Sequence, residues 1–157
     1  MTREDEQLLL LDLCARLSYG VKGRCEIDAS YDTSFDTIYQ LHKFDAILEG
    51  IKDGLLFVTP LIEGENEQEF ANEEVAEGID IWDFKPYLRP LSSMTEEETV
   101  EYCDLQDKFL YSSQYPVTDG HALFDWLNKK MFDYRGLIPR GLAISADEFI
   151  LIKKVKS

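Results

Sequence analysis

Nucleophilic catalysis is the chemistry that the few histidines and cysteines of this chain could supply. There are two histidines, His42 and His121, and three cysteines, Cys14, Cys25 and Cys103. A cysteine nucleophile needs a histidine within hydrogen-bond reach, so the pairs to consider are Cys103 with His121 and Cys25 with His42. Neither pair lies in the local signature of a known cysteine hydrolase. The sequence therefore favours buried, reduced thiols and leaves a small hydrolase as an open alternative.

Oxygen-bearing side chains alternate in the segment 28–36, as they do in a calcium-binding loop. Such a loop requires a glycine at its sixth position and a bidentate glutamate at its twelfth. Here Thr33 and Tyr39 occupy those two positions. The segment is therefore predicted to be an acidic turn between strands rather than a calcium site.

The usual zinc, redox and phosphate-binding motifs are missing from the sequence. It contains no HExxH or CxxC, and Gly20 and Gly23 lack the neighbours that make a phosphate-binding loop. With 31 acidic residues, carboxylate pairs suited to glycoside hydrolysis arise from composition alone, so they do not indicate that chemistry. We therefore assign no catalytic residue, no cofactor-binding residue, no metal ligand and no cofactor.

Acidity is the most pronounced feature of the sequence, and it is concentrated in the segment 53–84. The chain has 31 acidic and 16 basic residues, and this segment contains ten acids without a lysine or arginine. Such a field repels nucleic acid and anionic membranes and attracts basic partners. The segment 63–78 shows little periodicity and has glycine near both ends, which predicts an exposed, mobile acidic loop. The candidate interaction surface consists of Glu65, Glu67, Glu69, Glu73 and Glu74.

Length and composition predict one folded domain over residues 1–157. The chain is long enough for a single hydrophobic core, and 45% hydrophobic with 12% aromatic residues argue against disorder. No apolar run reaches the roughly 18 residues that cross a bilayer. Residues 1–6 are acidic, whereas a signal peptide begins with basic residues. We expect no membrane association and a cytoplasmic location.

The first half of the chain predicts an N-terminal helix and an antiparallel meander. Apolar residues recur at helical spacing between positions 10 and 17, after a near capping box made by Thr2 and Asp5. Strand patterning then predicts four segments: 21–27, 37–42, 44–51 and 55–62. The last two are joined by an Asp53-Gly54 sequence, which is typical of a hairpin turn.

The second half predicts a stiff connector, two helices and two short strands. Pro86 and Pro90 favour an extended connector, and Thr95 with Glu98 forms a capping box at the start of a helix. A second helix is predicted from about position 118, with a frayed end at 133–136. The strand candidates are 142–144 and 148–154.

Four large aromatic residues are expected to hold the sheet and the helices together, because aromatic side chains bury large areas. They are Trp82, Tyr87, Trp126 and Tyr134. The predicted fold is a single α+β domain in which an antiparallel sheet of about five strands carries the N-terminal helix and two later helices.

Three blocks of the sequence, 9–19, 81–98 and 124–138, form a familiar combination. They include the runs Asp83-Phe84-Lys85-Pro86-Tyr87 and Phe132-Asp133-Tyr134-Arg135-Gly136. Together they cover about half the chain, which thereby resembles a group of small proteins from gut Bacteroidetes and their prophages or other mobile elements. The resemblance implies a bacterial or phage origin and a small cytoplasmic protein. The group carries no known activity, so no residue role is transferred, and the segment 63–78 does not match it.

Three functional hypotheses follow from these observations. The leading one is a non-enzymatic accessory or protein-interaction module that binds a basic protein partner and does not bind nucleic acid directly. The second is an acidic mimic of DNA that occupies a host DNA-binding protein. Such a mimic requires carboxylates at phosphate-like intervals on a rigid face, and the predicted acidic loop would not hold them in that arrangement. The third is the small hydrolase. Oligomeric state stays open.

Overall fold

A six-stranded mixed sheet is the centre of the fold in the computed structural model, which describes residues 1–32, 37–111 and 119–147. The strands lie in the order β4-β3-β2-β1-β5-β6. Their bounds are β1 Lys22–Asp32, β2 Thr37–Lys52, β3 Leu55–Leu61, β4 Ile79–Asp80, β5 Phe84–Leu88 and β6 Ile144–Ser145. The helices are α1 Arg3–Arg16, α2 Glu65–Val75, α3 Glu96–Leu110 and α4 Asp119–Lys129.

The predicted α+β class is confirmed, with two differences in detail. All neighbouring strands are antiparallel except β5 and β6, so the sheet is mixed and has six strands within the described part of the chain. The two predicted strands at 37–42 and 44–51 form one continuous strand, β2. The predicted strand at 148–154 lies outside the described residues. So do positions 33–36 of the predicted calcium-like turn, whereas positions 28–32 continue β1.

Helix α1 begins where the sequence predicts, because Thr2 and Asp5 exchange hydrogen bonds between side chain and backbone in a capping box. Leu9 and Leu13, one helical turn apart, are fully buried against the sheet. They meet inward-facing strand residues such as Cys25 and Leu56 in the main hydrophobic core. Helix α1 therefore covers one face of the sheet.

The meander of β1, β2 and β3 depends on two irregular positions. Asp53 and Gly54 both have positive φ angles, 53° and 77°, so this hairpin turn matches the right-handed twist of its strands. The β2–β3 register shifts between Leu48 and Gly50, a bulge that restores alternation with the core face. The Asp53-Gly54 hairpin prediction is confirmed.

Pro86 does not form a connector outside the sheet, as was predicted, but lies within strand β5. It pairs with Gly23 of β1, and the ring of Phe84 packs over that glycine. A Cβ atom on Gly23 would lie 2.4 Å from the Phe84 ring, so no side chain fits there. The glycine allows β5 to approach β1 closely, and the proline is tolerated because β5 makes only a short ladder.

Helices α3 and α4 form a second, smaller core around Leu123, Leu127 and Phe132. Arg89, directly after β5, joins this core to the sheet. Its guanidinium lies 4.3 Å from the centre of the Phe132 ring and makes a bidentate ion pair with Glu98, with distances of 2.7 and 2.8 Å. The backbone of Arg89 also bonds to Met131 and Asp133.

The segment 133–136, predicted as a frayed helix end, is ordered and hydrogen-bonded instead. The carboxylate of Asp133 accepts hydrogen bonds from the backbone N–H groups of Leu137 and Ile138 at 2.8 and 2.9 Å. Phe132 N–H bonds to the Leu127 carbonyl, and Met131, at φ 61°, takes the left-handed position that ends α4. The fraying prediction was wrong because these local hydrogen bonds, together with the backbone bond from Asp133 to Arg89, hold the segment that follows α4.

A buried ionic cluster holds α1 against this segment. Asp12 and Arg16, both fully buried, pair at 2.9 and 3.0 Å, and Arg135 Nε reaches the same carboxylate at 3.2 Å. Arg16 also donates to the carbonyl oxygens of Leu127 and Phe132 at 3.5 and 2.6 Å. The guanidinium thereby adds a second donor to two carbonyls that already accept from the backbone N–H groups of Phe132 and Tyr134.

Candidate interaction surface

The acidic segment forms a helix, α2, and the prediction of a loop at 63–78 was wrong for its central part. Gly64, with φ 112°, turns the chain into the helix. The amide of Gln68 then fastens the helix to the end of β3, because it donates to Pro60 O at 2.8 Å and accepts from Ile62 N at 3.0 Å. Ala71 and Val75, one helical turn apart, are the buried residues of α2. The spacing of these two residues was the available sequence signal.

The contacts of Gln68 with the end of β3 determine which glutamates of α2 face solvent. Since Gln68, Ala71 and Val75 face the protein, the opposite side of the helix faces solvent. Glu65, Glu67, Glu69 and Glu73 are exposed, whereas Glu74 is half-buried and has an interaction partner. Glu65, Glu69 and Glu73 follow one another at four-residue spacing, so their positions form a row with a rise of about 6 Å per step.

No base compensates this row within the described part of the protein. The ion pairs there join other carboxylates, such as Asp104 to Lys108 and Asp5 to Arg140. Phe70, whose side chain is partly exposed, lies on the same helix three residues before Glu73 and three after Glu67. We call this surface the acidic helix face, defined by Glu65, Glu67, Glu69, Phe70 and Glu73. It combines uncompensated charge with an aromatic side chain.

A second feature lies further along the chain, where β4 leads into a single helical turn at Ile81–Asp83. Ile81 is buried, but the Trp82 side chain is 51% exposed. Trp82 forms one wall of a shallow hollow of about 440 Å³, and residues of α1 form the other. The expectation that Trp82 joins the layers of the fold stays a prediction: the indole is half exposed beside α1, while its neighbour Ile81 occupies the buried position.

The other three aromatic residues make more contacts than Trp82, Tyr87 within the sheet and Trp126 and Tyr134 around the smaller core. Tyr87 is buried in β5 and donates a hydrogen bond to Asp45 of β2 at 2.5 Å. Burial, followed by the Asp45 carboxylate, raises the pKa of Tyr87 to about 12. Trp126 stacks on Phe132 at 5.5 Å and donates to a carboxylate of α3. Tyr134 donates to Asn128 and receives a hydrogen bond from Arg135.

The two cysteine–histidine pairs differ from what catalysis would need. Cys25 is fully buried, and burial, followed by the nearby Asp83 and Asp45 charges, raises its pKa to about 12. A thiol held protonated in this way is a poor nucleophile. In the β1–β2 register Cys25 is paired with Phe44; the His42 side chain lies outside the described residues.

Cys103 and His121 are exposed on different helices. The two helices meet through other side chains, Phe109 with Phe124 at 5.5 Å and Tyr102 with Trp126 at 6.3 Å between ring centres. Neither Cys103 nor His121 takes part in these contacts, so the helix packing gives no support to this pair as a catalytic dyad.

Two further searches over the described residues gave negative results. No group of three or more histidine, cysteine, aspartate or glutamate side chains there could hold a metal ion. No helix in residues 1–32, 37–111 or 119–147 is long and apolar enough to cross a bilayer.

Comparison with protein-family models, with curated protein sequences and with solved structures gives no match for this chain. The structure therefore defines the protein by architecture: an α+β domain that presents an acidic helix at one end of its sheet.

Proposed function

We propose that this protein is a non-enzymatic interaction module that binds a basic protein partner through its acidic helix face. The observation that carries the proposal is the row of Glu65, Glu69 and Glu73 on a helix fixed to β3. No described base neutralises this row, and complementary charge speeds and orients protein association.

The fixed helix strengthens the proposal in a way that a loop would not. Carboxylates on a helix keep their spacing, so less conformational entropy is lost when a partner binds than for a mobile segment. Gln68 supplies the anchoring contacts, and Phe70 adds an apolar contact beside the charges. Interfaces commonly combine an aromatic side chain with a charged rim in this way.

The test compares two triple variants of equal charge. E65Q/E69Q/E73Q neutralises the row, while E97Q/D107N/D125N removes three exposed charges from α3 and α4. Binding of a lysine- and arginine-rich peptide is measured by fluorescence anisotropy at several salt concentrations. We expect the first triple to weaken binding roughly tenfold and the second to have a much smaller effect. Equal weakening by both triples would show that net charge, and not this face, attracts the peptide.

The acidic mimic of DNA is a second candidate, and the helix gives it specific support. Rigid carboxylates about 6 Å apart along one line resemble a phosphate backbone more closely than a loop does. The test is displacement of a labelled DNA duplex from a panel of purified DNA-binding proteins. For this candidate the wild-type protein displaces the duplex from a panel member, E65Q/E69Q/E73Q fails to do so, and the control triple displaces it normally. Absence of displacement across the panel would contradict this candidate.

A further inference from the structure

The hollow beside Trp82 is built from one continuous stripe of α1. Its other lining residues are Arg3, Glu6, Gln7 and Leu10, which follow the spacing i, i+3, i+4 and i+7 of a single helix face. Leu10 and the indole of Trp82 provide apolar surface, while the three polar side chains stand around it. The volume, about 440 Å³, is enough for a large side chain together with part of its backbone.

The exposure of Trp82 is the second observation. The chain turns at Ile81–Asp83 with Ile81 buried in the core, so the backbone at Trp82 is fixed by its neighbour. The indole on this fixed turn therefore presents apolar surface to solvent that is not buried within the fold. Tryptophan is also the residue type most enriched among those that dominate binding energy at interfaces.

Charge around the hollow indicates the chemistry of its occupant. Within two residues of the lining along the chain, six acids stand against Arg3: Glu4, Asp5, Glu6, Asp12, Asp80 and Asp83. Asp5 is paired with Arg140 and Asp12 with Arg16, which leaves an excess of acidic over basic side chains. Further along the chain, the acidic residues that precede β4 continue toward α2. The surroundings therefore favour a segment that carries positive charge on either side of an apolar side chain.

We propose that this hollow receives an aromatic or long aliphatic side chain from a partner segment flanked by lysine or arginine. The proposal rests on the proposed function, since the basic partner is the same, and it adds a specific anchoring pocket to a surface otherwise selected by charge. The apolar side chain packs between Leu10 and Trp82, and the flanking bases face the surrounding carboxylates.

The probes are two blocked pentapeptides, Lys-Arg-Leu-Lys-Arg and Lys-Arg-Ala-Lys-Arg, each labelled for fluorescence anisotropy. They carry the same charge and differ only in the central side chain. Burying a leucine side chain is expected to make the leucine peptide bind roughly tenfold more tightly than the alanine peptide. Trp82→Ala should remove that difference and leave the alanine peptide unaffected.

Tyr111→Ala is the matched control, because Tyr111 is an aromatic residue of similar exposure, 60%, at the end of α3 and away from the hollow. It should preserve the preference for leucine. Both variants alter exposed side chains, and circular dichroism with a thermal melt checks that each is folded. E65Q/E69Q/E73Q separates the two proposals: it should weaken both peptides while preserving the preference.

Three results would overturn the pocket. One is equal affinity of the two peptides for the wild-type protein, including no binding of either. Another is a leucine preference that Trp82→Ala fails to remove, or that Tyr111→Ala removes to the same extent as Trp82→Ala. The third is a concentration-dependent dimer of the protein alone that Trp82→Ala abolishes, because a second copy would then be the occupant. If the wild-type protein shows no leucine preference but E65Q/E69Q/E73Q still weakens peptide binding, the pocket is refuted and the acidic helix face is not. Failure of the pocket is therefore distinguishable from failure of the proposed function.

Discussion

Replacing Arg16 with methionine is the sharpest test of the buried ionic cluster. Methionine has a similar apolar stem but none of the donors, so the variant removes two bonds to Asp12, at 2.9 and 3.0 Å. It also removes the bonds to the Phe132 and Leu127 carbonyls. Among the described residues, Asp12 would keep Arg135, at 3.2 Å, as its remaining charged partner.

The expected loss of unfolding free energy follows from these contacts. Removing one partner of a buried ion pair typically costs 3–5 kcal/mol, because the remaining charge is left in a poor solvent. Arg135 compensates part of this, so we expect a loss of about 3 kcal/mol for Arg16→Met. For a chain of this length that corresponds to a fall in Tm of about 10 °C. Urea unfolding followed by circular dichroism measures the loss.

Two companion variants make the reasoning refutable. The double variant Asp12→Leu with Arg16→Met leaves no unpaired buried carboxylate and should therefore lose less than the two single variants together. Arg140→Met breaks an ion pair with Asp5 in which the arginine side chain is half exposed, and it should cost much less than Arg16→Met because solvent screens the pair. A loss below about 1 kcal/mol for Arg16→Met, or strict additivity in the double variant, would refute the argument.

Three other predictions concern the sheet and its junctions. The bidentate pair with Arg89, followed by the backbone bond at Thr95, lowers the pKa of Glu98 to about 2. The stability that the ionised Glu98 contributes is therefore complete above the ordinary glutamate pKa of 4.5 and is lost as the pH falls toward 2. In urea unfolding, Glu98→Gln should be about 1–3 kcal/mol less stable than the wild type at pH 7, and this difference should vanish near pH 2. Gly23→Ala should lower the free energy of unfolding by about 1–3 kcal/mol in the same assay, because its methyl group would clash with the Phe84 ring and the Lys85 carbonyl oxygen. In the native protein at pH 8, a thiol reagent should modify two of the three cysteines and spare Cys25, and a third equivalent should react only in urea; rapid native reaction of all three would contradict its burial.

Local patterns predicted much of the fold. The capping boxes at Thr2 and Thr95, and the Asp53-Gly54 turn, all occur where the sequence indicates. Each of these depends on residues within a few positions of one another, so no knowledge of the tertiary structure was needed. The α+β class followed from the same signals.

The errors arose where distant contacts decide the outcome. Helix α2 has few apolar residues, and its position depends on Gln68 bonding to the end of β3. The ordered segment after α4 depends on Arg16, which lies more than a hundred residues away in the sequence. The five glutamates were predicted as a surface, but the row formed by three of them, Glu65, Glu69 and Glu73, required the helix.

The ionic cluster also has a consequence for how the chain folds during synthesis. The bonds from Arg16 to Leu127 and Phe132, and from Arg135 to Asp12, span 111, 116 and 123 residues. Helix α1 is synthesised more than a hundred residues before these partners, so its charged pair cannot complete its contacts until they have emerged from the ribosome. Contacts at such separation slow folding, since a long stretch of chain must be ordered before they form. Closure of the ionic cluster is therefore a late step in folding, in which α1 docks onto the segment that follows α4.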